Sequence, residues 1–245
     1  MQNQKADTPP VREVMINMGI ITALSIILLW LFHLAYLLFV ARVDGGFWTL
    51  FHIAVQMHLF TGLFITGHDA IHGTVSRSTF VNKCFGRLCA LLFAGISYRK
   101  LSRNHELHHR FPGTEQDPDF NTKSQNFFAW WITFLLRYAG PGQIIFMAVV
   151  FNVLKYFAGE FHVWLYWVLP VFLSSIQLFY FGTYRPHRLP LTESMGKHRA
   201  RSWEFGDVSA FLSCYFFGYH REHHESPGTP WWRMPKLKKT MDNEN

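Results

Sequence analysis

The chain has 245 residues, enough for one domain or two small ones. Hydrophobic residues make up 49% and aromatics 18%, against 16% charged; this excludes a disordered chain and falls short of the roughly 25% charge usual in a soluble domain. The net charge of +7 leaves a nucleic-acid or membrane partner open, while three cysteines show no pairing pattern for a disulfide scaffold.

Residues 1–13 read as a loose polar tail. Val14–Ala41 then runs 28 residues without Asp, Glu, Lys or Arg, and Gly45–Gly67 runs 23. A spanning helix needs about 20 apolar residues. Both runs therefore predict transmembrane helices, joined into a hairpin across Arg42, Val43 and Asp44. The first run is too long for a signal-peptide core, and no small-residue cleavage site follows it, so it reads as retained. Leu88–Tyr98 and Asn126–Leu136 are too short to span and predict re-entrant or interfacial helices. Tyr138–Leu154 gives a 17-residue run, broken early by Pro141 and Gly142, and Phe161–Tyr184 gives 24. With only Gly159 and Glu160 marking the turn between them, these predict a second hairpin. Phe205–Tyr219 is a further short stretch, and residues 236–245 read as a second loose tail. The whole predicts one all-α integral membrane domain over 14–235, with four transmembrane helices in two hairpins plus short interfacial helices.

Gly67–Arg137 carries nine Lys and Arg, and Arg185–Asn245 carries ten, while the hairpin tips carry almost none. That bias predicts both long polar segments and both termini on the cytoplasmic side. The basic excess then faces anionic headgroups of the lipid bilayer, and nucleic acid is set aside as a partner.

The histidines fall into spaced clusters. His68 and His72 have HxxxH spacing where the second apolar run ends. His105, His108 and His109 have HxxHH spacing, and His220, His223 and His224 repeat it. Residues i, i+3 and i+4 share one helix face, so each cluster predicts two or three imidazoles aimed at one spot. His187 follows the fourth run by three residues, where a short unwound segment would turn it toward the others. One such cluster alone reads as a solvated helix face; three on one predicted side do not. Imidazole suits zinc, copper, iron and nickel. Nine are too many for one ion, since a zinc site closes with about four ligands, so two metals fit better. The zinc-protease pattern HExxH fails, because Asp69 follows His68. Two nitrogen-bound metals above an apolar helical bundle point to O2 activation on a lipid-soluble substrate, which needs a redox metal such as iron rather than zinc.

The three histidine clusters resemble those of the integral-membrane di-iron desaturase and hydroxylase superfamily. Thr61–Gly73, Pro112–Phe120, Gln177–Arg188 and Cys214–Pro235 together resemble, more closely, the β-carotene ketolases of bacteria and cyanobacteria. Arg185 is a departure, since that family usually has Leu there. The resemblance implies a cytoplasmic di-iron cap on the helices and oxidation of carbon 4 of a β-ionone ring to a ketone. β-Carotene would give echinenone and canthaxanthin, and a hydroxylated ring would lead toward astaxanthin. The implied route is two successive hydroxylations at one carbon, then loss of water. It implies two non-haem Fe ions, O2 as co-substrate and an external donor, a reduced ferredoxin, because the chain has no flavin or nicotinamide motif.

On this resemblance the nine clustered histidines are the iron ligands. Asp69, Asp117, Asp119 and Glu222 are candidate carboxylates to orient them. Trp130, Trp131, Trp231 and Trp232 are candidates to line a carotenoid channel, the alternative being an interfacial aromatic belt. His33, His52 and His58 lie inside predicted spans and read as neutral groups bonded to a neighbouring helix. A carotenoid β-ring hydroxylase or a fatty-acid desaturase would carry the same histidines; Gln177–Arg188 and Trp231–Pro235 favour the ketolase. A metal transporter would need more polar groups along its spans.

Overall fold

The computed structural model describes residues 11–244, with side chains from Met18 onward. The tail expected over 1–13 lies outside the described residues as far as position 10, and from Val11 the backbone is helical. Among the described residues there is no strand.

Four helices are long and apolar enough to cross a membrane. Helix α1 (Val11–Phe39) and α2 (Phe47–Ile71) form the first hairpin. Its tip is closed by Asp44, whose Oδ1 accepts from the Thr49 hydroxyl at 2.6 Å and the Gly46 N–H at 2.9 Å. Helices α3 (Thr79–Ala94), α4 (Tyr98–Arg110) and α5 (Phe127–Tyr138) follow. Helix α6 (Pro141–Ala158) and a 28-residue rod, α7 (Glu160–His187), form the second hairpin around Gly159. Three short helices close the chain: α8 (Asp207–Cys214), α9 (His220–Glu225) and α10 (Met234–Glu244).

Pro141 does not break the third span. It opens α6 at the first turn, where a missing N–H costs nothing. The chain bends by 103° between α3 and α4. Gly95, at φ +64, ends α3 in the left-handed region, and Ser97 starts α4 by accepting the Lys100 N–H. That bend carries α4 away from the bundle axis.

The spans are tied by polar contacts as well as packing. His33 Nδ1 meets Gln56 Oε1 at 2.6 Å and His33 Nε2 meets His52 Nδ1 at 3.1 Å, linking α1 to α2. Thr61 on α2 meets Ser174 on α7 at 2.8 Å. Trp30 stands edge-on to Phe60 at 5.4 Å in the shared core. His58 instead stacks on Tyr215 at 4.2 Å.

Helix α7 holds two widened turns. The Leu169 N–H bonds the Trp164 carbonyl and the Arg185 N–H bonds the Tyr180 carbonyl, each five residues back. Pro170 and Pro186 explain both: a proline lacks the N–H and crowds the carbonyl four residues before it, so the turn opens. One extra residue re-phases the helix by about 100°. No unwound segment is needed, because the helix itself continues through Arg185–His187 and delivers His187 buried.

Residues 236–244 are not a loose tail. They form most of α10, whose polar sequence is anchored by Lys238 near Glu222 at 3.6 Å and by Lys239 on Asp207 at 2.8 Å.

Candidate metal centre

His68 lies in the last turn of α2, with His72 one turn on. Helix α4 carries His105, His108 and His109, α9 carries His220, His223 and His224, and α7 ends on His187. The fold brings all nine into two groups. His68, His72, His105, His109 and His223 form one; His108, His187, His220 and His224 form the other. Within each group the offered nitrogens lie within 4.8 Å of one another.

The expectation that each cluster aims at one spot needs correction. Neighbouring residues on a helix point about 100° apart, so each HxxHH cluster divides. His105 and His109 join the five-histidine group while His108 joins the four; on α9, His220 and His224 join the four while His223 joins the five. Helices α4 and α9 thus serve both groups.

The donors fit metal ions. His72 Nε2 and His105 Nε2 are 2.8 Å apart, His109 Nε2 and His223 Nε2 2.9 Å, and His224 Nε2 is 3.1 Å from both His108 Nε2 and His220 Nε2. Nitrogens each bound at about 2 Å to one ion stand about 3 Å apart. His68 Nε2 and His187 Nε2 are buried and bond to nothing among the described residues. Burial pushes His72 down to about 4 and His109 to about 2. Burial, reinforced by neighbouring imidazoles, also lowers His105, His220, His223 and His224. Neutral imidazole is the form a metal needs.

Two histidines have their far nitrogen fixed. His187 Nδ1 donates to the Arg199 carbonyl at 2.9 Å, leaving Nε2 for the group. His108 Nδ1 donates to both oxygens of Asp117 at 3.0 Å. Burial alone would lower His108, but the carboxylates of Asp117 and Asp119 together outweigh it and raise it. Asp117 is itself held by the N–H groups of Gly113 and Asp119, each at 2.8 Å.

The other candidate carboxylates fall elsewhere. Asp69 Oδ1 is 3.6 Å from His68 Nδ1, too far for a hydrogen bond, and its Oδ2 accepts the Trp231 N–H at 3.1 Å. Asp119 accepts the Tyr138 hydroxyl at 2.6 Å and makes no bond to a histidine. Glu222 faces away from the imidazoles, toward Ser202 at 2.6 Å and the Arg221 and Lys238 cations, because the face of α9 opposite the metal groups meets the basic α10.

A cavity of about 70 Å³ lies between the two groups. His68 and His105 line it from one group, His108 and His220 from the other. The rest is mostly apolar, with Phe64, Phe93, Phe134, Leu178 and Phe217 prominent and Asp119, Tyr138 and Thr183 among the polar exceptions. Phe217 reaches it because Gly182 lies in the second widened turn of α7: a Cβ there would stand 2.0 Å from the ring.

None of the four tryptophans expected along a channel lines this cavity. Trp130 is buried against Phe120 and Phe179 and donates to the Asp119 carbonyl at 2.8 Å. Trp131 packs on Phe172, and Trp231 packs on Tyr215 with Trp232 edge-on beside it. Arg185 donates to the Ser202 carbonyl at 2.9 Å and lies over Trp203.

The chain matches the fatty acid desaturase family over residues 46–159 and 142–244. It is 36% identical to a beta-carotene ketolase of Paracoccus sp. (strain PC1) over 93% of this chain and 94% of that one. A beta-carotene ketolase of a second Paracoccus strain is 40% identical over 75% of this chain and 76% of its own. A zeaxanthin 4-ketolase of Chlamydomonas reinhardtii is 34% identical over 86% of this chain and 49% of its own. No solved structure matches the chain.

Proposed function

We propose that this chain, which belongs to the fatty acid desaturase family and within it to the β-carotene ketolases, oxidises carbon 4 of a carotenoid β-ionone ring to a ketone. One observation carries this reading: an apolar cavity whose wall holds imidazoles of both histidine groups.

His68, His72, His105, His109 and His223 would hold one iron, and His108, His187, His220 and His224 would hold the second. Iron held there would supply the O2 and electron-transfer chemistry that side chains lack. The chain's own residues do the rest. Burial keeps the imidazoles neutral. Asp117 and the Arg199 carbonyl orient His108 and His187 by taking their Nδ1 protons. The aromatic lining excludes water and holds one face of the ring against the histidine wall. Two successive hydroxylations at carbon 4, each using one O2, two electrons and two protons and releasing one water, give a gem-diol that loses a further water to the ketone. A reduced ferredoxin supplies the electrons.

The chain spans a lipid bilayer with both termini and the histidines on the cytoplasmic side, a reading that the four apolar helices and the Lys and Arg bias support. The test is expression in bacteria that accumulate β-carotene. Echinenone and canthaxanthin are the expected pigments; unchanged β-carotene, or hydroxylated products alone, would refute the proposal.

A further inference from the structure

The geometry points to Asp119 and Tyr138 as a hydroxyl-reading pair in the cavity wall, which selects β-rings that carry a hydroxyl on carbon 3. This rests on the reading of the cavity as the site of the carotenoid ring.

Both residues line the cavity, and both are buried, at 7% and 8% exposed. A carboxylate facing an apolar space is costly unless it is hydrogen-bonded. Tyr138 supplies one bond, from its hydroxyl to Asp119 Oδ1 at 2.6 Å. The pair is rigidly held. The Asp119 N–H donates to Asp117 Oδ1 at 2.8 Å, and its carbonyl accepts from Trp130 Nε1 at 2.8 Å. Tyr138 closes α5, which also carries Trp130.

Position then identifies what the pair reads. Asp119, Asp117 and His108 bring one oxygen or nitrogen each within 4.8 Å of one another. On a β-ionone ring, carbon 3 is bonded to carbon 4. With carbon 4 at the histidine wall, a hydroxyl on carbon 3 lies beside that wall, and Asp119 is the carboxylate standing there. A purely apolar pocket barely separates a ring from its hydroxylated counterpart, whereas a site with a placed acceptor does.

The test compares zeaxanthin, hydroxylated on both rings, with β-carotene as substrates of the purified, iron-loaded chain. Two readouts are taken: kcat/KM for ketone formation, and carotenoid affinity from quenching of tryptophan fluorescence. Wild type should prefer zeaxanthin in both. The preference should fall about tenfold in Tyr138→Phe and at least as far in Asp119→Asn, as for loss of a hydrogen bond to a charged group. A structural role would slow both substrates together and leave the ratio unchanged, and that result in both variants would overturn the inference. Ketone from β-carotene with none from zeaxanthin in wild type would overturn it too, while leaving the ketolase reading intact. No ketone from either carotenoid would remove the ketolase reading and the pair with it.

Discussion

His108 and His109 are adjacent in the chain yet join different histidine groups. His108 Nε2 stands 3.1 Å from His224 Nε2, and His109 Nε2 stands 2.9 Å from His223 Nε2. The two contacts cross between α4 and α9, so each helix braces both groups. Single substitutions at these neighbours should therefore empty different sites. His108→Ala and His109→Ala should each lower the iron content of anaerobically purified protein by about one ion per chain, from about two in wild type. Loss of all metal in both, or of none in either, would contradict the partition.

Asp117 accepts from His108, a member of the four-histidine group. Removing its carboxylate frees the His108 ring to turn and leaves a buried N–H without an acceptor. Asp117→Ala should weaken metal retention about 10–100-fold, the usual cost of losing such a partner, with Asp117→Asn milder because an acceptor remains. Retention against a chelator over time reads this directly.

Gly182 is a position where size alone decides. Its added Cβ would stand 2.0 Å from Phe217 Cε1, and Phe217 packs on His68 at 5.0 Å and His220 at 5.3 Å between ring centroids. Gly182→Ala should displace that ring, destabilise the protein by about 1–3 kcal/mol and cut turnover more than thermal stability suggests. Thermal unfolding in detergent, paired with product analysis, separates the two effects.

The histidine clusters were legible in the sequence because their spacing is itself the chemistry. Their division was not, since the spacing names a face and the fold decides what stands opposite it. By charge alone Tyr138 is the first residue of an apolar run, but it closes α5 and reaches Asp119, because Pro141 marks the start of the next helix. Glu222 sits inside a histidine cluster, so proximity in sequence suggested a partner for imidazole. Its neighbours are Ser202 and Lys238, and only the packing of α10 reveals that. The four spans were legible from hydropathy, whereas the widened turns of α7 depend on where Pro170 and Pro186 fall in the helical register.

The buried imidazoles also set the response to acid. His72 is depressed to about 4 and His109 to about 2 by burial, and His105, His220, His223 and His224 are lowered as well. Below the ordinary value of about 6.5 the unfolded chain takes up protons that the folded chain refuses, so stability falls as pH falls. His108 and Asp119 act in the opposite sense. His108 is raised, so its contribution is present at low pH and fades as pH rises; Asp119 is raised from 3.8 to about 6 by burial, so its contribution is likewise lost as pH climbs to about 6. Six depressed histidines outweigh these two. Metal-free protein should unfold at a lower temperature at pH 5 than at pH 7.5; the reverse order would mean that the imidazoles are not held neutral.

The position of oxidation is the most direct measurement. β-Carotene bearing deuterium at both hydrogens of each carbon 4 is given to the purified, iron-loaded chain with O2 and reduced ferredoxin, and the products are weighed by mass spectrometry. Ketone formation at carbon 4 predicts loss of both deuteriums from every oxidised ring and gain of one carbonyl oxygen. An oxygenated product that keeps both deuteriums on the altered ring would place the chemistry at another carbon and contradict the assignment.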